Sequence, residues 1–185
     1  MADMKKITGM SDEAVKAKTG KAWREWFAVL DKAGAKKMAH RDIAQLLYEK
    51  HKVPGWWCQM VTVGYERARG LRQVHQTATG YSVSRSKTIA APVGKLFRAW
   101  QDRKLRGRWL KHKLTIRKAT RNKSLRITWA DGKTHVDVMF YPKGAGRTQV
   151  NVQHNKLPAA RDVSAKKTYW AERLDRLAAA VGVAK

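Results

Sequence analysis

The hydrophobic period of this 185-residue chain changes once, near Gly80, and that change restricts the fold more than any other feature. Before it, apolar residues recur every three or four positions, which is the spacing of helices with one buried face. After it, they alternate, which is the spacing of strands. Residues 1–72 are therefore expected to form a small all-α domain. Ser11 caps a helix running to Lys18, with Asp12 and Glu13 in its first turn, and Thr19-Gly20 interrupts it. Trp23, Trp26, Phe27 and Leu30 form one stripe closed by Ala33-Gly34; Ile43, Ala44, Leu46 and Leu47 lie on a helix ending near His51. Pro54 suits a first helical turn, and Trp57, Met60, Val61, Gly64, Tyr65 and Ala68 carry a fourth helix to about Leu71. The polar, small residues 73–80 read as a linker.

From residue 81 a strand runs through Ser82–Ile89 and stops before Pro92, and two short helices follow, around Gly94–Gln101 and Asp102–Leu110. Alternation then places Leu114 with Ile116, Leu125 with Ile127 and Trp129, Val136 with Val138 and Phe140, and Val150 with Val152 on the faces of successive strands. Asp131-Gly132 reads as a two-residue hairpin turn, and Pro142 to Gly146 as the next. A terminal helix beginning near Ala159 or Ser164 and ending near Val181 carries Trp170, Leu174, Leu177 and Val181 on one side, with fraying expected after Gly182. An amphipathic helix following an antiparallel sheet buries its stripe on the sheet's apolar face. The expected class is α+β: a curved antiparallel sheet around a long C-terminal helix, preceded by the helical domain.

Several blocks in residues 81–185 resemble the START-like, or SRPBCC, superfamily of helix-grip proteins related to birch-pollen allergens. They are Thr88-Ile-Ala-Ala-Pro92 with Leu96-Phe97, Arg108-Trp109-Leu110, Ser124-Leu-Arg-Ile-Thr-Trp-Ala-Asp-Gly132, Val150-Asn-Val-Gln-His154 and Tyr169-Trp-Ala-Glu-Arg-Leu174. Within that superfamily they are most similar to bacterial homologues of the activator of heat-shock protein 90 ATPase. Gly55-Trp-Trp-Cys-Gln-Met-Val-Thr-Val-Gly-Tyr-Glu66 looks like part of a helical domain of no established function fused to such proteins. The resemblance implies a sheet that wraps the terminal helix and can enclose a cavity. It does not fix a ligand, because one fold serves many functions.

Charge narrows the partners. The chain carries 40 Lys and Arg against 14 Asp and Glu, a net +26. Thirteen of the basic residues lie between Lys95 and Arg126, where Asp102 is the single acid. Arg103, Lys104, Arg106, Arg108, Lys111 and Lys113 are the candidate surface for nucleic acid or an acidic protein partner, the alternative being a solvated basic face that keeps the chain soluble. Any such binding to nucleic acid is expected to be electrostatic and indifferent to sequence. His40-Arg-Asp-Ile-Ala-Gln-Leu-Leu47 followed by Val53–Val63 has a helix-turn-helix flavour, but only Gln59 and Thr62 are suited to reading bases.

No enzymatic signature is present, and none of G-x-S-x-G, H-E-x-x-H, G-x-x-x-x-G-K-[ST] or G-x-G-x-x-G occurs. No catalytic residue, cofactor or metal site is expected. The six histidines have no Cys or carboxylate at ligand spacing, and a lone Cys58 forms no intrachain disulfide. With 43% hydrophobic residues, no signal-peptide pattern and no apolar run of membrane-spanning length, the expectation is a cytoplasmic protein. The primary functional expectation is a non-enzymatic binder of a hydrophobic small molecule. Its cavity walls would be Trp129, Val138, Phe140, Val152, Trp170 and Leu174, with His154 as the one polar group on the apolar face; the alternative is a plain core in which His154 is a hydrogen-bonded structural residue. A protein-interaction or chaperone-associated module is the alternative, and a nucleic-acid-binding regulator the third.

Overall fold

The computed structural model describes residues 4–144 and 146–182. The expected fraying after Gly182 and the middle of the Pro142–Gly146 turn concern residues outside that range. The chain forms two compact units, Met1–Val74 and His75–Lys185.

The first unit contains α1 (Met4–Thr8), α2 (Asp12–Thr19), α3 (Trp23–Lys32), a 3-10 turn at Ala35–Lys37, α4 (His40–His51) and α5 (Gly55–Ala68). The caps explain the boundaries. Ser11 Oγ accepts the Ala14 amide at 3.3 Å, and Gly20 takes the left-handed conformation that ends α2. Ala22 has no capping side chain, so the Glu25 carboxylate reaches back to its amide at 2.8 Å, while Asp12 Oδ1 accepts the Trp23 amide at 2.9 Å. Trp23, Trp26, Phe27 and Leu30 then pack with Val15, Ile43, Leu47, Val61 and Tyr65 in one core. Gly64 permits this packing: a Cβ there would lie 2.4 Å from the Trp23 ring. Two details depart from expectation. The helix α1 was not anticipated, and α5 ends at Ala68 because the next turn closes through Leu71 and Arg72 amides onto the Glu66 carbonyl.

The second unit runs β1 (Gln76–Thr77), β2 (Gly80–Ile89), α6 (Val93–Gln101), α7 (Arg103–Gly107), β3 (Thr115–Thr120), β4 (Ser124–Thr128), β5 (His135–Pro142), β6 (Thr148–Leu157) and α8 (Arg161–Gly182). The strands form one antiparallel sheet in the order β1-β2-β6-β5-β4-β3. Its register stacks the alternating apolar positions on one face. Leu125 lies opposite Val138 and Val138 opposite Val152; Ile127 lies opposite Val136 and Val136 opposite His154. Trp170, Leu174, Leu177 and Val181 of α8 join these residues in the core. Each large apolar side chain buried this way contributes about 1.5–3 kcal/mol.

The stretch 73–80, expected as a linker, carries β1, which pairs with the start of β2. Gly80 is needed for that entry: it takes a positive φ of 120°, and a Cβ there would lie 2.6 Å from the Leu157 carbonyl oxygen. The Asp131-Gly132 connection is also longer than a two-residue turn. The strand pairing ends at Thr128 and His135, and the loop between them closes through the Trp129 amide on the Thr134 carbonyl at 3.0 Å. The Asp131 carboxylate organises it by accepting the Lys133 and Thr134 amides, each at 2.8 Å.

Candidate functional site

The space between the sheet and the middle of α8 is filled. Trp170 lies edge-on to Trp129, their ring centroids 5.2 Å apart, and stacks on Trp100 of α6 at 6.0 Å. Trp100 in turn meets Trp109 at 4.7 Å, and Phe97 meets Phe140 at 5.7 Å. Of the expected cavity residues, Trp129, Val138, Phe140, Val152, Trp170 and Leu174 all fall in this core, and none is more than 5% exposed. The structure brings them together as predicted, but as a packed interior and not as a cavity wall. Four indoles converging on one layer occupy the volume that smaller residues would have left empty.

His154 is buried inside the same layer, and both ring nitrogens are engaged. Trp170 Nε1 donates to Nδ1 at 3.1 Å, so the proton resides on Nε2, which donates to Thr134 Oγ1 at 2.9 Å. The Thr134 hydroxyl passes the chain on to Asp131 Oδ2 at 2.6 Å. Burial pushes the His154 pKa down to about 4; the Lys166 charge adds to this and Asp131 opposes it. Burial alone would raise Asp131, but the bonds from Thr134 and Lys133 outweigh it and hold its carboxyl below the ordinary value. Of the two roles open to His154, orienting a ligand or a hydrogen-bonded place in the core, both ring nitrogens are taken up by the second.

Open space lies at the last turn of α8. A pocket of about 740 Å³ is bounded by α6, α7, the β3–β4 turn and the last turn of α8. Phe97, Ala99, Trp109 and Val181 supply its apolar floor, and Lys95, Arg98, Arg108 and Arg121 line it with cations. Small side chains create it. Ala119 sits opposite Leu125 on the inward face of β3, where a larger residue would fill the gap, and Gly94, Ala99 and Ala180 add little bulk. Trp109 is fixed from behind, its Nε1 donating to the Ala99 carbonyl at 3.2 Å. The sequence missed this site because its walls come from four separate elements. Its one readable trace is the basic run that begins at Lys95.

Arg103, Lys104, Arg108, Lys111 and Lys113 are exposed, as a partner surface requires, and Arg108 also lines the pocket. Arg106 is a correction. Its Nη1 donates to the Trp100 and Gln101 carbonyls at 2.7 and 3.2 Å, ending α6, and burial lowers its pKa. A second correction is in the first unit. α4 and α5 do form a helix pair joined by Lys52-Val53-Pro54, but Thr62 is buried and donates to the Cys58 carbonyl at 2.8 Å. Gln59 is exposed and bonded to His40 Nε2 at 2.8 Å. Cys58 is buried, its thiol pushed up by desolvation and directed at the Val53 carbonyl. Among the described residues no group of three or more His, Cys, Asp or Glu is placed to hold a metal ion, and no helix is long and apolar enough to cross a membrane.

An antiparallel sheet folded against one long terminal helix, with two short helices bridging its ends, defines the second unit as a helix-grip module. The family model described as Activator of Hsp90 ATPase homolog 1-like protein matches residues 81–182, and the chain belongs to that family. Among solved structures, a protein from Mesorhizobium loti is 18% identical, with a TM-score of 0.50 over 56% of this chain and 98% of its own, and shares the fold. An AHSA1-like protein from Rhizobium etli is 21% identical over 58% of this chain and 87% of its own, with a TM-score of 0.47. The Aha1 dimer from Colwellia psychrerythraea is 16% identical over 56% and 98%, also at 0.47. No curated protein matches the chain.

Proposed function

We propose that the second unit is a non-enzymatic binder of a hydrophobic small molecule, held in the pocket at the last turn of α8 and not between Trp170 and the sheet. One observation carries this reading: a space of about 740 Å³ with an apolar floor opens beside an interior that is otherwise filled. That volume lies within the range of small-molecule sites. Around His154 the rings of Trp129 and Trp170 are buried in mutual contact, and both nitrogens of His154 are already bonded. Titration of the full chain with 1-decanol, followed through methyl resonances, tests the assignment. Ala119, Ala180 and Val181 signals should shift saturably while Val138 and Val152 stay fixed. Movement of the Val138 and Val152 signals instead would return the ligand to the sheet–helix interior.

The second reading is a module that docks an acidic protein surface, the kind of role the family description suggests. The exposed cations Arg103, Lys104, Lys111 and Lys113, lying outside the pocket, favour it. It takes first place if no hydrophobic probe moves any of the five methyl signals.

A further inference from the structure

We propose that the guest of this pocket is an amphiphile with an anionic head, a carboxylate, sulfate or phosphate, seated on the cations while its apolar body lies on Phe97 and Trp109. This inference rests on the reading of the pocket as a ligand site and adds the charge of the ligand. Four basic side chains, Lys95, Arg98, Arg108 and Arg121, line one concavity, and none of the residues around it is acidic. Three cations elsewhere are paired, Arg69 with Asp31, Arg72 with Glu66 and Lys87 with Asp175. Among the described residues no acidic side chain pairs with any of the four pocket cations. Like charges gathered around a cleft repel one another, and its low-dielectric walls focus their field on whatever enters.

The backbone points the same way. α6 begins at the pocket, where Gly94 lies on its wall. Its N-cap is Pro92, which provides no capping side chain, and its first turn holds no acid. The pocket flanks the nine-residue α6 from Gly94 to Gln101, so the helix's first turn forms part of its wall. Asn122, at the tip of the β3–β4 turn with φ of 57°, lies beside Gly94 on the pocket wall, its Oδ1 3.8 Å from where a Cβ at Gly94 would stand. Arginine forks hold a planar or tetrahedral oxyanion through paired hydrogen bonds, and Trp109 and Phe97 provide the surface for its hydrocarbon part.

The test compares three probes with the same ten-carbon chain, decanoate, 1-decanol and decyltrimethylammonium, against the full chain at about 0.15 M salt, where long-range surface attraction is screened. The Ala180 and Val181 methyl shifts report binding. Decanoate should bind at least about tenfold more tightly than decanol, the value of one added charge-assisted bond, and the ammonium probe should bind weakest. The double variant Arg98→Gln, Arg121→Gln should remove the preference for decanoate and leave decanol binding unchanged. Lys143→Gln, an exposed cation outside the pocket, should leave all three affinities in the same order. Equal binding of decanoate and decanol would overturn the anionic head while the pocket stands as a hydrophobic site. Absence of binding by all three would overturn both. A decanoate preference that survives the double variant, or falls equally with Lys143→Gln, would assign it to overall charge and overturn the inference.

Discussion

The middle of α8 and its last turn pack against the same sheet but differ in what surrounds them. Around Trp170 the interior is closed by Trp100, Trp129 and a histidine with both nitrogens bonded; around Val181 it opens into a pocket. The difference lies in residue size at equivalent inward positions. Where β4 and β5 place Ile127 and Val136 opposite one another, with the indoles above them, the layer is full. Where β3 places Ala119 opposite Leu125, it is not. A helix-grip fold thus need not carry its cavity in the middle of the grip, and the location of small residues decides where it lies.

The largest expected effect comes from removing the plug. Trp170→Ala should cost about 3–5 kcal/mol in denaturant unfolding, because it leaves a cavity and strips His154 Nδ1 of its donor. Val181→Ala, bordering space that is already open, should cost about 1–2 kcal/mol, the transfer term without a new cavity. Comparable losses at the two positions would erase the distinction between a closed and an open region.

His154 offers a second way to separate them. In the folded chain its pKa is about 4, against an ordinary value of 6.5. Between those values the unfolded chain binds the extra proton and the folded chain does not. The contribution is therefore complete above about pH 6.5 and is lost as the pH falls toward 4. It amounts to roughly 3 kcal/mol. His154→Gln keeps an acceptor for Trp170 and a donor for Thr134, so the difference in stability between pH 7 and pH 4.5 should shrink in that variant. An unchanged pH dependence would mean that His154 is not buried neutral.

Local patterns made the closed region legible and hid the open one. Alternation through Leu125, Ile127, Val136, Val138, Phe140 and Val152, together with the stripe Trp170, Leu174, Leu177 and Val181, was enough to read the sheet face and the helix face that meet. What periodicity does not report is how much volume remains after they meet. That depends on the indoles of Trp100, on α6, and Trp109, in the turn that follows α7, and not on the sheet. The relay through Thr134 was equally hidden, since it requires the Asp131 loop to be longer than its Asp-Gly signal suggested. Arg106 looked like its neighbours in the basic run, and only the position of the Trp100 and Gln101 carbonyls turns it inward. In the first unit, stripes and caps revealed the four main helices, whereas the approach of Trp23 to Gly64 depends on helix crossing.

The smallest effect tests the comparison from the side of added volume. Val138 is fully buried between Leu125 and Val152, so Val138→Trp forces a large ring into a filled layer and should destabilise by about 1–3 kcal/mol or more. Ala119 is exposed on the pocket wall, and Ala119→Phe places a ring into open space on a strand, where aromatic residues are favoured. Its stability should stay within about 0.5 kcal/mol of the parent, as for substitutions that meet no packed neighbour. The same variant should lose the rise in melting temperature that 1-decanol gives the parent, because a ligand stabilises only the state that has room to bind it. Loss of stability at Ala119 equal to that at Val138 would show the pocket to be packed in solution. Unchanged stability combined with an undiminished decanol effect would place the hydrophobic site elsewhere in the chain.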